Sequence, residues 1–176
     1  DQSTHAAIFG AEPPFGPLAR RPDILVFATE PLTHDLEVTG PITVQLWVSS
    51  SAPDTDFTAK LIDVYAPSAD YPNGYALNIS DSIKRLRFHN GYEREEFVEP
   101  GDIIPLTIEL YPTSNLFVAG HRIRLDISSS NFPRFDINPN SGEPIGRHTQ
   151  TRVARNTIYH DASHPSRVDL PILPGA

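Results

Sequence analysis

The sequence predicts an all-β, mostly antiparallel jelly-roll β-sandwich, and three observations predict it. Apolar residues recur at every second position in several short runs, the spacing of half-buried strands whose successive side chains point to opposite faces. Clusters of Gly, Pro, Asn and Asp separate those runs. No long stretch carries a helical period, so crossover helices are lacking and the one-faced sheets must bury that face against each other. With 176 residues, 39% of them apolar, the chain is long enough to enclose one core, and a jelly roll is the natural form at this length.

The elements follow in chain order. Residues 1–22 read as an irregular lead-in or linker, because Pro13, Pro14, Pro17 and Pro22 remove ladder donors and fix φ. The sandwich then occupies 23–176. Ile24 to Thr29 is the first strand. In Ile42 to Val48 the aliphatic residues alternate with Thr43, Gln45 and Trp47. Phe57 to Tyr65, Tyr75 to Ser80 and Ile83 to Phe88 follow as separate strands. Ile104, Leu106, Ile108 and Leu110 share one face, and in His121 to Ile127 the isoleucines and Leu125 face in while Arg122, Arg124 and Asp126 face out. Asn156 to His160 and Val168 to Ile172 close the set. Turns are expected at Thr39-Gly40-Pro41, Pro72-Asn73-Gly74, His89-Asn90-Gly91, Pro100-Gly101-Asp102 and Ala119-Gly120.

Composition narrows the function. A net charge of -8 repels phosphate backbones and argues against a nucleic-acid partner. No apolar run reaches the roughly 20 residues of a membrane helix, and no cationic-then-apolar opening marks a signal peptide. Cysteine is absent, which leaves neither disulfides nor thiolate metal sites and fits a cytoplasmic protein, with secretion still compatible. Methionine is absent and the chain starts at Asp1, so it reads as a piece of something longer.

Chemistry-bearing motifs are few. No Gly-x-Ser-x-Gly elbow, phosphate-cradling glycine loop or His-Glu-x-x-His occurs. Triads are recognised by geometry and not by order, so scattered serines, histidines and aspartates could still assemble one, but any β-sandwich of this composition offers as many candidates, and a self-contained triad is not expected. His160 and His164 are four apart, but on a strand end and turn the imidazoles diverge, which favours a solvated loop over a metal site. Asp54-Thr55-Asp56 lacks the glycine and distal Glu of a calcium loop and reads as a turn bonded to its own backbone. Asn78-Ile79-Ser80 is a glycosylation triplet inside a strand and is discounted. No catalytic residue, metal site or cofactor is expected.

Two features remain. Trp47 sits in the polar phase of its strand, and a large aromatic there wants a cover, either other parts of this chain, such as a second sheet or the lead-in, or another domain or ligand. The loop from Ser128 to Asn140 mixes small polar residues, Phe132, Phe135, Arg134 and two prolines, a shaped surface loop of the kind that carries recognition. Phe132 reads as a cap on the core, and for Arg134 neither a structural nor a binding role is preferred.

Several long motifs resemble the cocaine esterase/NonD family of serine hydrolases: Val48-Ser49-Ser50-Ser51-Ala52-Pro53-Asp54-Thr55-Asp56-Phe57-Thr58-Ala59-Lys60-Leu61; Pro112-Thr113-Ser114-Asn115 leading to Ala119-Gly120-His121-Arg122; Ile127 to Asp136 with Asn138 and Asn140-Ser141-Gly142; and His164-Pro165-Ser166-Arg167. The likeness runs in order from about residue 20 to the end. Ile137 departs from it, standing in Phe-Asp-x-Asn where members carry a basic residue. The resemblance implies the C-terminal jelly roll, galactose-binding-domain-like, that these enzymes share with X-Pro dipeptidyl-peptidases. It implies esterase, acylase or X-Pro dipeptidyl-peptidase activity in the whole protein, with the Ser-His-Asp triad upstream. The expected partners are the α/β-hydrolase and cap domains of the same polypeptide, with self-association into a homodimer through the exposed docking face as a further expectation. The implied pocket-facing or interdomain residues are Leu46, Trp47, Ser49, Asp54, Phe57 and Arg134. A stand-alone carbohydrate- or ligand-binding sandwich is the alternative.

Overall fold

In a computed structural model, residues 18–173 are described; the proline-rich stretch before Leu18 lies outside them. Among the described residues eight strands form: β1 (Leu25–Ala28), β2 (Leu36–Ser50), β3 (Asp56–Tyr65), β4 (Tyr75–Arg85), β5 (Ile104–Phe117), β6 (Arg122–Ser128), β7 (Asn156–Tyr159) and β8 (Arg167–Asp169). Every pairing is antiparallel. One sheet has the order β1-β6-β3-β4, and the other β5-β2-β7, with β8 also on β2. The chain passes from sheet to sheet at most connections, so neither sheet forms without the other and the predicted sandwich results.

The alternation in sequence becomes the core. Val38, Ile42, Val44, Leu46 and Val48 of β2 join Leu106, Ile108 and Leu110 of β5, and face Phe57, Ala59 and Leu61 of β3 with Ile123 and Ile127 of β6. Burying each large aliphatic side chain contributes about 1.5–3 kcal/mol.

β2 and β5 run longer than the sequence expectation and β8 ends earlier, at Asp169, and two further departures have a local cause. Tyr75–Ser80 and Ile83–Phe88 are not two strands: β4 is continuous to Arg85, and Leu86–Phe88 is a 3-10 turn. Asp81-Ser82 looks like a polar break, yet no Gly or Pro bends it, and both residues keep their ladder positions opposite Lys60 and Ala59. The turn expected at Thr39-Gly40-Pro41 is a bulge inside β2. Gly40 supplies φ +134 there, and a side chain on it would press its Cβ to 3.1 Å from Pro171 Cγ. Glycine thus serves both the bulge and the close approach of the chain's last segment.

The pairing on the far side of β2 positions the site. β8 pairs with Thr43–Gln45 and β7 with Trp47–Ser50, so the two short strands lie end to end along β2. The turn between them, residues 160–166, loops out beside Leu46 and Trp47.

Candidate functional site

Trp47 occupies the outer face of its sheet, half-buried, as its phase in β2 requires. Its cover comes from the β7–β8 turn. The His164 ring meets the indole edge-on at 5.2 Å, and the Tyr159 ring lies 5.5 Å from His164. Because the ladder is interrupted at this point, the Trp47 N–H donates instead to Ser166 Oγ, at 2.8 Å, and that hydroxyl donates to the Tyr159 carbonyl. Ser49 Oγ lies 3.0 Å from the Tyr159 hydroxyl. Asp161 fastens the turn: it accepts from the N–H groups of Ser163 and His164 and from His164 Nδ1. These donors hold its carboxyl below the usual range, the His164 ring most of all. The result is a small aromatic surface of Trp47, Tyr159 and His164 on a pinned turn. His160 lies against Phe27 instead, with ring centroids 6.2 Å apart, so the two turn histidines serve different surfaces.

A second constellation lies at the end of β2. Asp54 is fully buried and accepts from the Arg87 backbone N–H (2.9 Å), Arg87 Nε (2.8 Å) and Asn138 Nδ2 (2.9 Å). Asn138 also reaches Asp56 Oδ1 at 2.8 Å, and Arg85 grips Asp56 at 2.8 and 3.1 Å. Arg87 Nη2 also lies 2.8 Å from Asp54 Oδ2 and donates to the Glu143 carbonyl, and Nη1 reaches Glu95. Asp54 and Asp56 are therefore held by arginines at the end of β4 and in the following 3-10 turn and by an asparagine from a distant loop, not by their own turn backbone as expected from the sequence. Two carboxylates at i, i+2 facing two arginines at i, i+2, in Asp54-Thr55-Asp56 and Arg85-Leu86-Arg87, were the available sequence signal for this network.

The loop after β6 is anchored the same way, by its polar side chains. Asn131 bridges Lys60 Nζ (2.8 Å) and Asp81 (2.7 Å), and Arg134 pairs with Asp81 while lying over Tyr111 and Phe135. With the polar groups turned inward, Phe132 is 65% exposed. It does not cap the core, contrary to the sequence expectation. Ile137 is exposed as well, so the loop's ionic anchoring runs through Arg134 and its amide anchoring through Asn138.

The six candidate contact residues thus separate. Leu46 and Phe57 are core residues, and Asp54 is a buried anchor that acts on a surface only through the loops it holds. Trp47 and Ser49 belong to one patch, and Arg134 lies on the other, partly exposed loop. From sequence His164 is weighed only as a metal ligand, Ser166 appears only in a family motif and Tyr159 is not singled out, because only strand pairing brings the three to Trp47.

The buried Asp63 was also missed. It continues the inward phase of Ala59 and Leu61 and accepts from His121 Nδ1 at 2.9 Å, while burial pushes its carboxyl up. Among the described residues, no serine hydroxyl hydrogen-bonds a histidine ring, and no group of three or more His, Asp or Glu gathers for a metal. Among the described residues no helix is long and apolar enough to cross a membrane.

Residues 2–169 match the family described as the X-Pro dipeptidyl-peptidase C-terminal non-catalytic domain. The chain is 43% identical over 159 residues to a cocaine esterase from Rhodococcus sp. (strain MB1 Bresler), covering 89% of this chain and 27% of that protein. Among solved structures, an alpha-amino acid ester hydrolase superposes with TM-score 0.82 at 33% identity, covering 87% of this chain and 26% of the other. An aminopeptidase from a marine sediment Thaumarchaeota archaeon superposes with TM-score 0.83 at 30% identity, covering 94% and 29%. The chain spans about a quarter of the length of these relatives.

Proposed function

The chain belongs to the X-Pro dipeptidyl-peptidase C-terminal non-catalytic domain family, and from that premise we propose that it packs on the α/β-hydrolase domain of a longer serine hydrolase of the cocaine esterase/NonD type and helps wall its substrate pocket. The observation that carries this is Trp47: a half-buried indole on the outer sheet face, framed by His164 and Tyr159 and pinned through Ser166 and Asp161. An aromatic held this rigidly offers a large contact area at little entropic cost when something docks on it. The names of the relatives, an esterase, an ester hydrolase and an aminopeptidase, support ester or peptide hydrolysis by the whole polypeptide.

The division of labour has a direct test. This chain alone turns over neither p-nitrophenyl esters nor Xaa-Pro anilides and takes no fluorophosphonate label, whereas the longer polypeptide does both. In the longer polypeptide Trp47→Ala raises KM by about tenfold, the worth of one well-packed aromatic contact at about 1.4 kcal/mol, with kcat much less affected. Labelling of a serine within this chain defeats the non-catalytic reading. An unchanged KM in the Trp47 variant defeats the pocket-wall reading.

A further inference from the structure

Beside the Trp47 patch the sandwich is open. Where β7 gives way to β8, a cleft of about 450 Å³ enters between the sheets. Phe27, Leu46, Leu125, Ile158, Val168 and Leu170 are among the residues that line it. A second hollow of about 270 Å³ shares Ile127 and Ile158 with it and extends along the same side to Leu25. The neighbouring β1 is an edge strand with all four residues exposed, Leu25 at 46% and Phe27 at 41%.

On the reading that this chain packs against a hydrolase domain, we propose that this cleft is the socket for an apolar side chain projecting from that domain. The chemistry of the wall selects such an occupant. A small-molecule pocket of about 300–1,000 Å³ normally carries a few convergent polar groups that orient the ligand. Of the polar side chains at the wall, His160 turns its ring against Phe27, and the others are hydrogen-bonded elsewhere. Ser166 Oγ is held between the Trp47 N–H and the Tyr159 carbonyl. Thr29 Oγ1 accepts from the Ile123 N–H, and Arg167 is shared by Gln45 and Asp169. An aliphatic or aromatic side chain needs no such groups and gains by leaving water. The exposed edge of β1 gives the same partner further apolar surface, and an uncovered edge of this kind calls for a cover. About three quarters of the length of the relatives lies outside this chain, which is ample polypeptide to supply one.

The test uses single thiols in the longer polypeptide, stripped of any other cysteine, and in this cysteine-free chain alone. His160→Cys places a thiol on the wall of the cleft. Ser163→Cys places one on the exposed turn beside Trp47. Maleimide reacts readily with both in the chain alone. In the longer polypeptide the His160→Cys rate falls by at least tenfold. If only Ser163→Cys is protected, the socket is refuted while docking at the Trp47 patch stands; if neither is protected, both fall. Protection of His160→Cys in the chain alone that grows with its concentration assigns the cleft to a second copy and overturns the proposal. So does retained reactivity in the longer polypeptide together with saturable binding of anilinonaphthalene sulfonate, which assigns it to a small apolar ligand.

Discussion

Arg87→Met is the most informative single perturbation of this domain. The methionine keeps an apolar stem beneath Phe97, over which the guanidinium now sits at 4.9 Å, so packing changes little. What is lost is electrostatic. Asp54 has no exposure to water, and the substitution removes its charged partner, the Arg87 guanidinium, whose Nε and Nη2 both lie 2.8 Å from Asp54 Oδ2. The backbone N–H and Asn138 Nδ2 remain. Removing one partner of a buried ion pair costs about 3–5 kcal/mol, because the other charge stays buried without compensation. For a domain of this size each kcal/mol lowers Tm by about 2–4 °C, so the expected loss is roughly 6–20 °C. Urea unfolding followed by the fluorescence of Trp47, the only tryptophan, measures it. The control is Arg87→Met with Asp54→Asn, which removes the charge while keeping an oxygen for the backbone donor; at least half of the lost stability returns. A single variant losing less than about 1 kcal/mol, or a double variant no better than the single one, refutes the claim that Asp54 is a buried charge held chiefly by Arg87.

Three further outcomes test other parts of the structure. Burial pushes the Asp63 carboxyl above its unfolded value of 3.8, so between 3.8 and the raised value the folded state holds a proton that the unfolded chain has released. Stability therefore falls as pH rises through that window; Asp63→Asn removes that slope from pH-dependent urea titrations and raises stability at pH 7 relative to the parent. Glu143, held down to about 2 by Thr149 Oγ1, the Gln150 and Thr149 N–H groups and Ser141, contributes the opposite slope: its share of stability is present above 4.5 and is lost as pH falls toward 2. Glu143→Gln weakens these bonds, and amide exchange at Thr149 and Gln150 accelerates without a change in the β-sheet amides. Gly40→Ala forces a side chain to φ +134 with its Cβ at 3.1 Å from Pro171 Cγ; it costs about 1–3 kcal/mol and speeds exchange of the Thr39 amide, which donates to the Pro171 carbonyl.

Much of the fold was legible because strand burial is a local property. The period-two runs of β2, β5 and β6 state which side chains face inward whatever the strands pair with, and the absence of helical period leaves a two-sheet sandwich as the way to bury them. Trp47 was legible for the same reason, as the aromatic in the wrong phase. The absent elbow and the ordered motifs from Val48 and Ile127 placed the chain in its family and assigned it no catalytic role of its own.

Pairing and partnership were decided only in three dimensions. Nothing local says that β7 and β8 share one flank of β2 and leave a gap at Leu46, so neither the His164–Trp47 contact nor the cleft could be read from the chain. Asp54 looked like a turn residue because its partners, Arg87 and Asn138, lie 33 and 84 positions away. Phe132 looked like a core cap because apolarity suggests burial, but Asn131 and Arg134 had the stronger need to turn inward toward Asp81. Hydrophobic burial is non-directional and leaves its signature in composition and spacing. Charge pairing and hydrogen bonding are directional and need a particular partner, and that partner is chosen by the tertiary fold.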